Sequence, residues 1–212
     1  PFYKPDLNIT VVDPHRAGHE LNYYPGEVTL RLADIVIINK MDSAGPEGIN
    51  LVRDNIRKVN PGATVIDAAS PISVDDPSLI KDKRVLVVED GPTLTHGQMT
   101  IGAGTVAALK FGASECVDPR PFIVGKLAET FDTYPGIGSL LPAMGYGEQQ
   151  TRDLEATINN TDCDSVVIGT PIDLNRVIKI NKPSTRVNYD LQEIGYPDLA
   201  SVLDEFLARQ PG

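Results

Sequence analysis

Ionisable and hydroxyl side chains in this 212-residue chain gather just beyond short apolar runs, and three of these gatherings read as chemistry. The first is Asp13-Pro14-His15-Arg16-Ala17-Gly18-His19-Glu20, which follows the run Ile9 to Val12 and holds two of the three histidines. An aspartate closing an apolar strand is the type of carboxylate that holds a nucleotide-bound magnesium ion, which makes Asp13 a metal candidate. Arg16 with His15 and His19 can neutralise phosphate as catalytic groups, and Arg16 can also bind a phosphorylated substrate. If the segment is helical, His15 and His19 share a face and can ligate a metal with Asp13 and Glu20, although Pro14 and Gly18 oppose a regular helix. A solvated loop is the plainer alternative.

The second gathering is Asn39-Lys40-Met41-Asp42, an NKxD sequence at the end of the buried run Asp34 to Ile38. An aspartate here can accept two hydrogen bonds from the N1–H and exocyclic amine of guanine, while Asn39 braces the loop and the Lys40 stem lies along the base. The next strand ends in Asp67-Ala68-Ala69-Ser70, a small-residue loop whose backbone N–H groups, at Ala69 and Ser70, approach a base in the P-loop GTPases. Thr10-Val11-Val12-Asp13-Pro14 resembles their Walker B element. A turn capped by Asp42 or Ser43 is the alternative.

The third is Glu89 to Met99 with the glycine-rich Gly102 to Thr105 behind it. Thr93, Thr95, His96 and Gly104 read as a phosphate or carboxylate cradle at a helix start, with His96 also a catalytic candidate. Glu89, ending an apolar strand, is a second metal candidate. A capped strand-to-helix turn is the alternative. No GxxxxGK[ST] phosphate loop occurs: Gly125-Lys126 is followed by Leu127, and Gly102-Ala103-Gly104-Thr105 lacks the lysine.

These groups need a scaffold of strands that end at a common edge. β-Branched runs at Ile9 to Val12, Asp34 to Ile38, Ala63 to Ile66, Arg84 to Val88, Ser165 to Ile168 and Arg186 to Tyr189 alternate with helical periodicity at Pro46 to Lys58, Thr105 to Phe111, Glu148 to Ile158 and Leu199 to Arg209. The pattern predicts an α/β fold, a mostly parallel sheet flanked by helices, P-loop NTPase-like and incomplete at its N-terminus. The polar, proline-containing Ser70 to Asp82 is the best boundary. It separates a nucleotide-binding part, 1–75, from a C-terminal α/β part, 76–212, that carries substrate loops. Thr130 to Tyr146 reads as one long loop.

A net charge of −10 argues against nucleic acid and anionic membranes as partners, leaving small molecules and proteins. Cys116 and Cys163 stand far apart, outside any zinc or disulfide spacing, and point to a reducing, cytoplasmic compartment. Asn159-Asn160-Thr161 is read as a chance sequon, and no run approaches the length of a membrane span. The first residue is proline, so the chain is expected to be part of a longer protein whose N-terminal segment carries the phosphate loop. A homo-oligomer is expected on base rates alone.

Taken together, VVDPHRAGHE, YYPGEVTLRLADIVIINKMD, VEDGPTLTHGQMTIGAG, and YGEQQTRDLEATIN followed by VVIGTPIDL closely resemble the cyclic 2,3-diphosphoglycerate synthetase family, from Asp13 to the C-terminal helix. The resemblance implies ATP-dependent closure of an intramolecular phosphoanhydride in 2,3-diphosphoglycerate, with ADP and phosphate released and with Mg2+ and K+ assisting. Arg16, His15, His19 and His96 would then supply positive charge and Asp13 would hold magnesium. NKMD, which reads guanine, disagrees with ATP and keeps GTP open. The rival reading is a GTP-dependent metallochaperone or switch protein with nickel or zinc on His15 and His19.

Overall fold

A computed structural model of the chain describes residues 4–91, 102–145 and 147–209. In chain order its elements are β1 (Ile9–Val12), α1 (His19–Asn22), α2 (Gly26–Leu32), β2 (Ile35–Ile38), α3 (Pro46–Val59), β3 (Thr64–Ala69), β4 (Ile72–Val74) and β5 (Arg84–Asp90). There follow α4 (Ala103–Lys110), β6 (Glu115–Cys116), α5 (Leu127–Thr133), β7 (Leu141–Ala143), α6 (Glu148–Asn160), β8 (Ser165–Ile168), β9 (Ser184–Tyr189), β10 (Gln192–Glu193) and α7 (Leu199–Ala208). The class is α/β with helices flanking strands, but the strands form two sheets and the first sheet is mixed. Two compact units carry them, Pro1–Pro71 with Tyr189–Gly212, and Ile72–Asn188.

The first unit has the order β1-β2-β3-β10, with β1, β2 and β3 parallel and β10 antiparallel to β3. β2 is Ile-Val-Ile-Ile and is buried along its whole length. Successive strand side chains point to opposite faces. Val36 and Ile38 therefore pack with Leu30 of α2 and Val52 and Ile56 of α3, while Ile35 and Ile37 pack with Ile66, Ala68 and the α7 residues Leu199 and Val202. Each such aliphatic side chain, taken from water, contributes about 1.5–3 kcal/mol. Pro46 opens α3 where its missing N–H costs nothing, and Val52 and Ile56, four apart, form its buried stripe.

The second unit has the order β4-β9-β8-β5-β6, with β7 also on β5. β6, β7 and β8 all run parallel to β5, and β9 runs parallel to β8. Val85 and Val87 of β5 pack with Ala107 and Ala108 of α4, whereas Leu86 and Val88 pack with Leu154 and Ile158 of α6. Strand alternation thus puts α4 and α6 on opposite faces of β5. The chain leaves β5 through α4 toward β6 on one side and crosses through α6 to β8 on the other. The carboxyl end of β5 is accordingly a topological switch point, where open α/β sheets form a crevice.

Thr130 to Tyr146 is not one long loop: it contains the end of α5, a 3-10 turn at Pro135–Ile137 and β7. Pro142 hid that strand from the sequence pattern. β7 lies to the side of β5, where a proline is tolerated because its missing N–H need not serve a second ladder. The polar connection read as Ser70 to Asp82 likewise holds β4, whose three residues are too few to show a period.

Candidate functional site

In the first unit the predicted groups follow the ends of parallel strands and meet there. Asp13 ends β1 and caps the turn Pro14–Arg16 by accepting the His15 N–H at 3.0 Å. Its other oxygen accepts from Lys40 Nζ at 2.8 Å and from Arg16 Nη2 at 3.2 Å. Burial works to raise the Asp13 pKa, but the Lys40 hydrogen bond and charge, the His15 N–H and Arg16 together hold it below the ordinary carboxylate value. Lys40 delivers its ammonium from a left-handed backbone, φ 60°, a conformation costing a non-glycine residue roughly 1–2 kcal/mol.

Asp42 accepts the Ser70 N–H at 3.0 Å, and Met41 donates its N–H to the Ala68 carbonyl at 3.0 Å. The NKMD loop is therefore laced to the loop after β3 that begins at Ala69 and Ser70. Asn39 keeps its backbone on β1 through Val12, while its Oδ1 is buried and has no hydrogen-bond partner. An unpaired buried acceptor is uncommon and marks a place where an incoming donor or cation would be welcome.

The histidines part company. His15 bonds Ser43 Oγ through Nε2 at 2.9 Å, whereas His19, beyond the left-handed Gly18 (φ 99°), stacks on Tyr23 with ring centroids 5.3 Å apart. Glu20 is buried and accepts from the Gly18 N–H at 2.8 Å and from Asn55 Nδ2 at 2.6 Å, which ties the loop to α3. The shared face that a continuous helix would give His15 and His19 does not form: as Pro14 and Gly18 suggested, the segment is split into two turns. Among the described residues no three His, Cys, Asp or Glu side chains are placed to hold a metal ion.

In the second unit Glu89 lies 2% exposed at the end of β5. It accepts the Thr105 N–H at 2.8 Å and the Thr105 hydroxyl at 3.1 Å, together with the Gly104 N–H. α4 has no side-chain cap of its own, so Glu89 reaches across from the strand to serve as one. Burial raises its pKa above the ordinary carboxylate value and the neighbouring Asp90 adds to the rise, while the N–H groups of Thr105 and Gly104 and the Thr105 hydroxyl oppose it. The first turn of α4, read from sequence as a cradle for an external anion at Gly104, is thus filled by the protein's own carboxylate. Three glycines make room: a methyl on Gly102 would collide with the Glu89 carboxylate, one on Gly104 would strike Val87 Cγ1 at 2.8 Å and crowd Glu89 Oε1 at 3.1 Å, and one on Gly169 would lie 2.6 Å from both Glu89 Oε2 and the Gly104 nitrogen. Thr93, Thr95 and His96 lie outside the described residues.

The turn after β8 is held by bonds within the protein. Asp173 caps it through the Asn175 N–H at 3.2 Å and pairs with Arg176 at 3.3 Å and Arg186 at 3.8 Å.

One feature escaped the sequence pattern. Lys126, Leu127, Thr130, Met144, Gln150 and Asp153 line a small open cleft. Asp153, only 6% exposed on α6, accepts the Lys126 N–H at 3.0 Å and Gln149 Nε2 at 2.7 Å. Gly-Lys in a turn and one Asp at a helical position carry no motif, and only folding brings them together.

No family model matches the chain. No helix among the described residues is long and apolar enough to cross a membrane. Over 206 residues the chain is 61% identical to a protein of Thermococcus kodakarensis named arginine synthetase ArcE. The match covers 97% of this chain and 46% of that protein, so the chain spans about half the length of its relative. This likeness overturns the resemblance to the cyclic 2,3-diphosphoglycerate synthetases and with it the phosphoanhydride closure; it gives no support to a metallochaperone either. The long motifs that carried that resemblance belong to a chain whose near relative bears the name of an arginine-forming enzyme.

Proposed function

We propose that this chain is part of a nucleotide-dependent synthetase with arginine as its product. The observation that carries the reading is the 61% identity to the arginine synthetase along almost all of the chain. At that identity the side chains of a site are commonly retained, though fold likeness by itself would not fix a substrate. Chemistry supports the pairing. A guanidinium is built by replacing an oxygen on a ureido-type carbon with nitrogen, and that oxygen leaves only after a nucleotide has converted it to a phosphate ester or adenylate. Such an enzyme needs a nucleotide site and an amino-acid site.

The first unit supplies the candidate nucleotide site, P-loop NTPase-like in the order of its elements. The base lies against Asp42 and the loop beginning at Ala69 and Ser70, and Asn39 Oδ1 is an acceptor awaiting a donor. Arg16, Lys40 and His15 supply cationic and hydrogen-bonding groups near Asp13 for the phosphates. ATP is the first choice and GTP the second. Mg2+ accompanies either nucleotide as its phosphate counter-ion. The Asp13 oxygens accept from three protein donors, so Asp13 acts as the anchor that aims Lys40 and Arg16 and keeps one acceptor position for the metal ion or a water on it.

The name specifies a product, so the test runs from the product side. The whole protein is incubated with L-arginine, Mg2+, phosphate and ADP or GDP, and in parallel with pyrophosphate and AMP, and nucleoside triphosphate is measured. Arginine-dependent triphosphate formation supports the reading; triphosphate formation indifferent to arginine in every mixture refutes it.

A further inference from the structure

We propose that the cleft between the start of α5 and the first turns of α6 binds the head of a free amino acid, the α-ammonium on Asp153 and the α-carboxylate on Lys126. The inference deepens the arginine reading and rests on it for the identity of the ligand, though not for its class.

Four observations converge. First, Asp153 is a carboxylate with 6% exposure that receives one backbone N–H and one amide N–H. A carboxylate offers about four acceptor positions, so two remain, and among the described residues no cation pairs with it. Second, Asp153 is one of the residues that line the cleft. Third, Lys126 lines the same cleft and has no carboxylate partner among the described residues. A lone cation entering would be repelled by Lys126 and a lone anion by Asp153. A ligand carrying both charges two bonds apart satisfies both. Fourth, Gly125 stands at φ 61°, and a side chain there would strike the Asp153 carboxylate. The turn is built so that backbone can lie directly against that carboxylate and hold it in place.

The location agrees. Met144 follows β7, which pairs parallel with β5, so the cleft borders the carboxyl end of the sheet near the switch point where such folds take ligands. Leu127 and Met144 offer apolar contact for the aliphatic part of the ligand, and Thr130 and Gln150 offer polar groups. The cleft is open on one side, so a long side chain can extend from its mouth.

The test is calorimetric titration of the whole protein and of Asp153→Asn and Lys126→Met with L-arginine, with agmatine, which lacks the carboxylate, and with each other free amino acid. Lys126→Met keeps the backbone N–H that Asp153 accepts, so it leaves the fold intact even if Asp153→Asn unfolds. The expected result is arginine binding weakened about 10- to 100-fold by Asp153→Asn. Lys126→Met should weaken arginine about fivefold and leave agmatine unchanged. Wild-type binding of a different amino acid with the same dependence on both residues keeps this site and removes arginine as its ligand. Arginine affinity unchanged in Lys126→Met, or no amino acid bound by the wild type, overturns the site; arginine-dependent triphosphate formation in that same protein would leave the synthetase reading standing.

Discussion

Glu89→Ala removes the carboxylate that caps α4 and exposes how much that capping contributes. Three donors lose their acceptor: the N–H groups of Gly104 and Thr105 and the Thr105 hydroxyl, all directed at a side chain that is 2% exposed. A buried donor left unpaired costs about 1–3 kcal/mol, and water entering the vacated space will satisfy some of the three. Against this stands the relief of no longer burying a carboxyl group whose charged form is disfavoured. The balance is a loss of about 2–4 kcal/mol, large against a total stability of roughly 5–15 kcal/mol. Glu89→Gln keeps the shape and one acceptor oxygen for Thr105 but turns an amide N–H toward the remaining donors, and it should lose less, about 0.5–2 kcal/mol. Urea unfolding followed by circular dichroism gives both values at unchanged slope. If Glu89→Ala is as stable as the wild type, or no less stable than Glu89→Gln, the capping argument is wrong.

Glu89 also predicts a pH dependence. Its folded pKa is raised above the unfolded value, so the native state binds the extra proton and stability falls as pH rises from the ordinary glutamate range through the raised value. Glu89→Gln should flatten that slope in a series of urea midpoints. Asp13 has the opposite sign: its folded pKa is lowered, so its contribution is present above the ordinary aspartate range and lost as pH falls through the lowered value. The stability difference between wild type and Asp13→Asn should therefore shrink on acidification, and a difference that grows would refute the Lys40 and Arg16 pairing. Gly125→Ala places a methyl against Asp153 in a left-handed backbone and should cost about 2–4 kcal/mol in thermal or urea unfolding. Asp42→Ala loses an exposed bond to the Ser70 N–H and should change stability by no more than about 1 kcal/mol, yet weaken nucleotide binding at least about tenfold by calorimetry.

The strands were legible where a buried strand needs apolar side chains on both faces. Ile-Val-Ile-Ile at Ile35–Ile38 and Ser-Val-Val-Ile at Ser165–Ile168 announce themselves because both are sealed on two sides. β7 was not, since Pro142 is a strand breaker except beside the sheet, and α2, whose Val28 and Leu32 face solvent, lacked a clean stripe. The meeting of Asp13 with Lys40 was not read from the sequence, which laid the Lys40 stem along a base; it arises because residues following adjacent parallel strands converge. Glu89 was picked out as a carboxylate at a strand end, but its engagement with α4 depends on how closely Gly102, Gly104 and Gly169 approach, which no spacing encodes. The hydrogen bond from the Lys126 backbone N–H to Asp153 depends on the packing of α5 beside α6 and was invisible for the same reason.

The most direct test of the synthetase reading follows both sides of the reaction in one tube. Arginine labelled with carbon-13 in its guanidinium group is mixed with the whole protein, Mg2+, phosphate and ADP, and with GDP and AMP with pyrophosphate in separate tubes, while carbon and phosphorus resonances are recorded together. The account predicts loss of the guanidinium signal in one-to-one proportion with the triphosphate formed, and loss of both in Asp42→Ala. A guanidinium signal that stays constant with all the nucleotides would contradict it.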